Sequence, residues 1–336
     1  MASLKAPARL LELVKAAFAK ALADGDLFYF ATQVQDMRVG ALSFQLRFSP
    51  ALANKPKPQP PSPKRDAAAP SKPFDPFEYT SPPGPLFVGD VGASHFLVLN
   101  KFAVVPGHFI LATRAYRAQT HVLEADDLHA TLACLRACEE EEEGVSDGND
   151  GDGALFAFFN GGAHSGASQP HRHIQMLPVR AMREGLPAAS AWRVLMARRD
   201  AVAPFTTFAE DITLSTTRED LYAAYLRLYQ QAVRAVRGED EFAPASGEAA
   251  ISYNMAMTRD RLVLCPRLAE GGTVTDPDTG AAVGTVSLNG TMLAGTALVK
   301  TEAEWEALRR HPRALTTILG SVGVSEPRFI DDVNKL

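Results

Sequence analysis

ALFAFFNGGAHSGASQPHRHIQMLPV, residues 154–179, reads as two strands joined by a loop of small residues. ALFAFFN is a short apolar run bounded by glycine, the pattern of a buried strand, and HRHIQMLPV makes the second strand. GGAHSGASQP between them has the composition of a flexible loop. Side chains on a strand alternate between faces, so His171, His173 and Gln175 are expected on one face, with Arg172 and Ile174 on the other. The glycines do not mark a dinucleotide-binding turn, because that motif opens a helix and here Pro170 leads into a strand.

Outward from this stretch, Leu10, Leu11, Val14, Ala17, Phe18 and Leu22 stand at helical spacing, predicting a first helix that ends near Gly25. SFQLRFS alternates Phe44, Leu46 and Phe48 as a strand does. Residues 50–73, PALANKPKPQPPSPKRDAAAPSKP, predict an extended, mobile connection, with Lys55 or Lys57 able to fold over a phosphate chain. SHFLVLNKFAVVPGHFILATR predicts an antiparallel hairpin around a turn at Pro106-Gly107. A helix from about Asp126 to Glu143 runs into the acidic loop EEEEEGVSDGNDGDG. Asp147 and Asn149 fit the first and third positions of a calcium loop, but Gly151 and Phe158 fall at the fifth and twelfth, so calcium is not expected.

In the second half, Thr217 and Asp220 predict a capping box on a long helix. SYNMAMTR and LVLCPR read as strands about a turn near Asp260. GTVSLNGTMLAGTALVK leads to a last helix opened by a second capping box, Thr301 and Glu304. Hairpins with interspersed helices indicate an α+β fold built on an antiparallel sheet flanked by helices. We divide it into an N-terminal catalytic region, 1–205, and a C-terminal region, 206–336, that completes the site.

A chain of 336 residues, 46% hydrophobic, can bury a substantial core. Its net charge of -5 offers no long-range attraction to nucleic acid, so an anionic substrate must be held by local cations and backbone amides. Cys134, Cys138 and Cys265 form no disulfide framework, and the first two, at helical i,i+4 spacing, read as core residues. With no signal peptide and no apolar run long enough for a bilayer, the expected location is the cytoplasm, with no membrane partner.

Imidazole titrates near neutrality and can be an uncharged nucleophile at physiological pH, and His173, between two polar neighbours on its face, is best placed to attack. Gly161, Gly162, Gly166, Ala167 and Ser168 carry little bulk, so their backbone N–H groups can approach an anion, while Ser168 and Gln169 add donors. A nucleophile beside such a cradle suits in-line displacement at phosphorus through a phosphoramidate on His173. A zinc site would need ligands beyond the two histidines. His164 lies on a flexible loop with no cysteine nearby, so no metal site is expected on the chain.

These residues resemble the histidine-triad superfamily, in the branch where Gln replaces the third histidine. Asn100 to Phe102, the Pro106-Gly107-His108-Phe109 turn, Asn160 with GASQPHRHIQ, and LNGTMLAGTALVK are similar, in order, to the diadenosine tetraphosphate phosphorylases, also called ATP adenylyltransferases. The resemblance implies a histidine-triad-like sheet and reversible phosphorolysis of diadenosine tetraphosphate to ATP and ADP through an adenylyl-histidine. It implies that His173 is the nucleophile, that Gln175 bonds the adenylyl phosphate and that His171 orients the nucleophile's ring. It implies substrate contacts from Lys55, Asn100, Lys101, Asn160, Gly166, Ala167, Ser168, Gln169, Asn289, Gly290, Thr291 and Lys300. The expected partners are small molecules only, diadenosine tetraphosphate, ATP, ADP and phosphate. Mg2+ is expected to travel with the nucleotide, with no tightly bound cofactor, on a monomer or homodimer.

Gln175 can donate and accept hydrogen bonds but cannot deliver a proton at neutral pH, which favours transfer between anions over hydrolysis. The rival readings are a hexose-1-phosphate uridylyltransferase-like enzyme, a dinucleoside polyphosphate hydrolase and a non-catalytic nucleotide-binding protein. The uridylyltransferases commonly carry metal ligands not found here and a Pro where this chain has Arg172.

Overall fold

A computed structural model describes residues 4–39, 41–54, 74–81, 83–142 and 151–326. Helix α1 (Leu10–Asp24) buries Leu10, Val14, Phe18 and Ala21 along one stripe, and Gly25 ends it in the left-handed conformation at φ +79°. Strands β1 (Phe28–Tyr29), β2 (Gln33–Val39) and β3 (Leu42–Phe48) follow. The alternation read in β3 does not expose its polar residues, for all seven side chains are buried. Gln45 and Arg47 lie under a second covering layer, where both donate to the Met182 carbonyl.

Next come β4 (Phe87–Val91), β5 (His95–Leu99), β6 (Phe102–Ala103) and β7 (Phe109–Thr113). The predicted hairpin is present, with Leu99 opposite Phe109, but its connection is wide, because β6 leaves it to pair in parallel with β1. Helix α2 (Ala125–Glu142) buries Cys134 and Cys138, while residues 143–150, including Asp147 and Asn149, lie outside the described residues. After it run β8 (Leu155–Gly161), β9 (His173–Pro178), α3 (Val179–Met182), β10 (Phe208–Asp211), α4 (Arg218–Arg237), β11 (Ser252–Met257) and β12 (Arg261–Arg267). The chain closes with β13 (Gly271–Thr275), β14 (Ala282–Ser287), β15 (Thr296–Val299), α5 (Glu302–Arg310) and α6 (Pro312–Val322).

Two capping details differ from expectation. Thr217 accepts from the Asp220 N–H, but the Asp220 carboxylate turns to the Thr217 hydroxyl instead of returning to the main chain, so that box is half formed. The Thr301–Glu304 box is complete, yet the helix it opens is not the last. Pro312, whose fixed φ suits a first helical position, starts α6 directly after His311.

The main sheet runs β10-β12-β11-β8-β9-β7-β5-β4, antiparallel throughout. One face carries Ala157, Phe159, Ile174, Met176, Met255 and Leu264 against α1, α2 and α4. The other carries Phe156, Phe158, Leu177, Ala256 and Val263 against a second layer containing β3, β13, β14, β15, α5 and α6. Each of the buried Phe, Ile, Leu, Met and Val side chains among these contributes roughly 1.5–3 kcal/mol. Within the second layer β15 pairs in parallel with β3, so the fold is not antiparallel everywhere. No helix among the described residues is long and apolar enough to cross a membrane.

Candidate active site

On the second-layer face the main sheet has a polar gap. Phe77, Phe96, Ile110 and Ala112 form a small apolar cluster on one side of it, and Phe158 and Ala256 belong to the larger core on the other. Between them the strand registers place His173 opposite Ala112, Gln175 opposite Ile110, and Asn254 opposite Asn160. Cross-strand partners share a face, so these polar side chains form one floor.

Strands β8 and β9 pair as far as Phe158 and Gln175 and then part. The side chain of Gln119, 2% exposed, fills the opening. Its Nε2 donates to the Asn160 carbonyl at 2.8 Å and the His173 carbonyl at 3.2 Å, and its Oε1 accepts the His173 N–H at 2.8 Å. One amide thus replaces the missing rungs and holds the main chain of His173 rigid. Nothing in AYRAQTH singles Gln119 out, since its role exists only across 54 residues of chain.

His173 is 2% exposed, and its Nδ1 lies 2.8 Å from the His171 carbonyl. A carbonyl only accepts, so Nδ1 carries the hydrogen and Nε2 keeps its lone pair. Burial pushes this imidazole down to about 4, leaving it uncharged at neutral pH. The bond to the His173 ring comes from the main chain of His171. The His171 imidazole is itself clamped, Nδ1 at 2.7 Å from Asp75 Oδ2 and Nε2 at 2.8 Å from the Thr113 carbonyl. Phe77 covers both rings, 4.8 Å from His173 and 6.1 Å from His171. Arg172 turns to the opposite face, as alternation requires, and reaches Asp127 at 2.8 Å.

Gln175, partly buried, stands beside His108, a buried histidine that burial likewise pushes down to about 4. Asn100 accepts the Phe102 N–H through Oδ1, so its Nδ2 faces His108 Nδ1 at 2.9 Å and places the ring hydrogen on Nε2. Asn100 is therefore committed to shaping the turn and setting the tautomer of His108. Asp75, Gln119 and His108 are the neighbours of the histidines that the sequence did not identify as site residues.

The small-residue loop meets the second half of the chain. Gly166 lies at φ +78° with Asn289 and the Leu288 carbonyl so close that a Cβ would come within 2.7–2.8 Å of them. Gly290 donates its N–H to Asn160 Oδ1 at 2.9 Å, and Asn289 accepts from the N–H and hydroxyl of Thr291. Asn160, Gly166, Asn289, Gly290 and Thr291 are thereby brought together. Ala167 and Ser168 are exposed and Gln169 partly so, on the approach to His171. Lys101 and Lys300 are exposed, and among the described residues their side chains make no hydrogen bond or ion pair, so the structure does not join them to this cluster. Lys55 and Lys57 lie outside the described residues. Among those residues no group of three His, Cys, Asp or Glu could hold a metal ion.

Both low histidines bind fewer protons folded than unfolded between their ordinary value of 6.5 and about 4, so stability is lost as pH falls through that window. Each ring costs about 3 kcal/mol across it. The same neutrality keeps the His173 Nε2 lone pair available in mild acid, so the rate of a reaction that uses it is expected to stay flat down to about pH 5 and to fall below it. An acid limb near pH ~6.5, the ordinary imidazole value, would show that burial does not hold the ring neutral.

Residues 1–192 match the family described as Ap4A phosphorylase N-terminal domain, and residues 201–325 match the ATP adenylyltransferase C-terminal domain. Two proteins of Saccharomyces cerevisiae are similar along most of the chain. Protein APA1 is 25% identical over 279 residues, covering 78% of this chain and 80% of that protein. Diadenosine 5',5'''-P1,P4-tetraphosphate phosphorylase 2 is 27% identical over 300 residues, covering 83% of each. The crystal structure of yeast Ap4A phosphorylase Apa2 superposes with a TM-score of 0.69 at 24% identity, over 95% of this chain and 98% of that one. The Apa2 complex with Ap4A gives 0.69 at 21% identity over the same 95% of this chain. These likenesses show the histidine-triad-like α+β fold.

Proposed function

Because the chain belongs to the Ap4A phosphorylase (ATP adenylyltransferase) family, a family of nucleotidyltransferases, we infer that His173 Nε2 takes the adenylyl group from diadenosine tetraphosphate. The observation that carries this reading is the neutral, oriented imidazole. Nδ1–H is held by the His171 carbonyl, which leaves the lone pair on Nε2, and His173 shares its polar floor with Asn160 and Asn254. In the first step the Nε2–P bond forms as the bond from phosphorus to the ATP oxygen breaks, and ATP leaves as an anion that needs no proton. In the second, an oxygen of inorganic phosphate attacks phosphorus, the P–N bond breaks, and ADP forms while the lone pair returns to Nε2. Nδ1–H stays on the ring throughout, its carbonyl partner stabilising the positive charge that substitution brings.

Gln175 and the loop at Gly166, Ala167, Ser168 and Gln169 hold the phosphates in this reading, with Asn160, Asn289, Gly290 and Thr291 closing the site. A divalent cation arriving with the polyphosphate belongs to the substrate. The test is product analysis. Diadenosine tetraphosphate with phosphate should give ATP and ADP in equal amounts, with little turnover when phosphate is withheld. AMP and ATP formed without phosphate would establish a hydrolase, and binding without turnover a nucleotide-binding protein.

A further inference from the structure

The directions of the Asn160 and Asn254 amides in the floor beside His173 are fixed by groups that can play only one part. Asn160 meets the Gly290 N–H, a donor, at 2.9 Å, so the atom it presents there is Oδ1. Asn254 Nδ2 donates to that same Oδ1 at 2.9 Å and to the Ser165 carbonyl, an acceptor, at 3.0 Å. Asn254 Oδ1 in turn accepts from the guanidinium of Arg267, which can only donate. Arg267 is 2% exposed and is held by the carbonyls of Val322, Ala269, Glu270 and Leu288. The hydrogen bonds therefore run one way, from Arg267 through Asn254 to Asn160.

The chain ends on an unspent donor. Asn160 is 1% exposed, and its Nδ2 is buried without a partner. Gln119 joins the main chains of Asn160 and His173, so the two residues flank the same opening between β8 and β9. A buried N–H without an acceptor is destabilising, and the cost is recovered when a substrate oxygen occupies the site.

We propose that Asn254, anchored by Arg267, is a positioning residue that keeps Asn160 turned with its Nδ2 toward a non-bridging oxygen of the phosphoryl group attacked by His173. The proposal rests on the functional reading above and adds to it two residues from β11 and β12. With the opposite amide orientation, Asn160 would present an oxygen to an anion.

The test is Asn254→Asp, which keeps its partner Arg267 but offers Asn160 no donor. The kcat for phosphorolysis should fall about 100-fold, as for loss of one donor to a developing anion, with KM changed less than about threefold. In an Asn160→Ala background, where the donor is already gone, the same substitution should lower kcat less than about threefold further. Unchanged kcat per folded molecule in Asn254→Asp, or an equal loss in both backgrounds, overturns the proposal. Asn254→Ala, which also offers Asn160 no donor, carries the same expectation if the aspartate variant does not fold. If neither folds, Asn254 is structural and the proposal fails. An unaltered chain that turns over nothing overturns the functional reading itself, whereas an active one with an indifferent residue 254 overturns only the positioning.

Discussion

His173→Ala is expected to lose phosphorolysis by about 10⁵-fold or more, because the proposed reaction routes every turnover through a bond to Nε2, and among the described residues the floor offers no second nucleophile. The chain should remain folded. The main chain of residue 173 is held by Gln119 regardless of its side chain, and among the described residues the ring gives up one hydrogen bond, to the His171 carbonyl, and its contact with Phe77. The decisive measurement pairs the rate with a trap. Radiolabelled diadenosine tetraphosphate without phosphate should leave label on the unaltered chain and none on the alanine variant, with the melting temperatures compared alongside. Turnover within tenfold of the parent, or label retained on the variant, would remove His173 from the mechanism.

The largest stability effect is expected behind His173, on the opposite face of its strand. Arg172 is 2% exposed on the helix-covered face, where its Nη1 meets Asp127 at 2.8 Å and Glu124 at 3.1 Å, and its Nη2 meets the Val122 carbonyl at 3.1 Å. Burial alone would raise the Asp127 carboxyl, but the His95 hydrogen bond and the Arg172 charge hold it below its ordinary value. Arg172→Met leaves that carboxylate buried without its cation. The expected loss is about 3–5 kcal/mol, on the order of 10 °C in melting temperature. Adding Asp127→Leu should restore most of it, since a buried ion pair is worth little more than the apolar residues that replace both members. A single variant within ~1 kcal/mol of the parent would mean that water or another side chain satisfies Asp127.

The floor of the site was legible where local chemistry forces local structure. An apolar run, a loop of small residues and alternating histidines specify β8, the loop and β9, and opposite directions for Arg172 and His173 follow from strand geometry alone. Gly25 and the Thr301–Glu304 pair likewise announce helix ends through chemistry confined to a few residues. What escaped is what distant segments do to one another. Asp75 meets His171 across 96 residues, and Asn254 meets Asn160 across 94, and a single polar side chain in a loop or strand carries no period by which to know it. β3 misled for a related reason. Alternation reports that one face is apolar, but it is silent about a second layer that satisfies Gln45 and Arg47 from above.

That strand also sets a schedule for biosynthesis. β3 finds one neighbour at once in β2, but its other edge waits for β15, and the Gln45–Thr296 contact spans 251 residues. At ordinary translation speeds of roughly 5–20 residues per second, the ribosome takes roughly 10–50 s to deliver that partner. During this interval the nascent chain carries an open strand edge of unpaired N–H and C=O groups, a template for pairing with another chain. Premature termination anywhere before residue 296 would leave that edge without its mate.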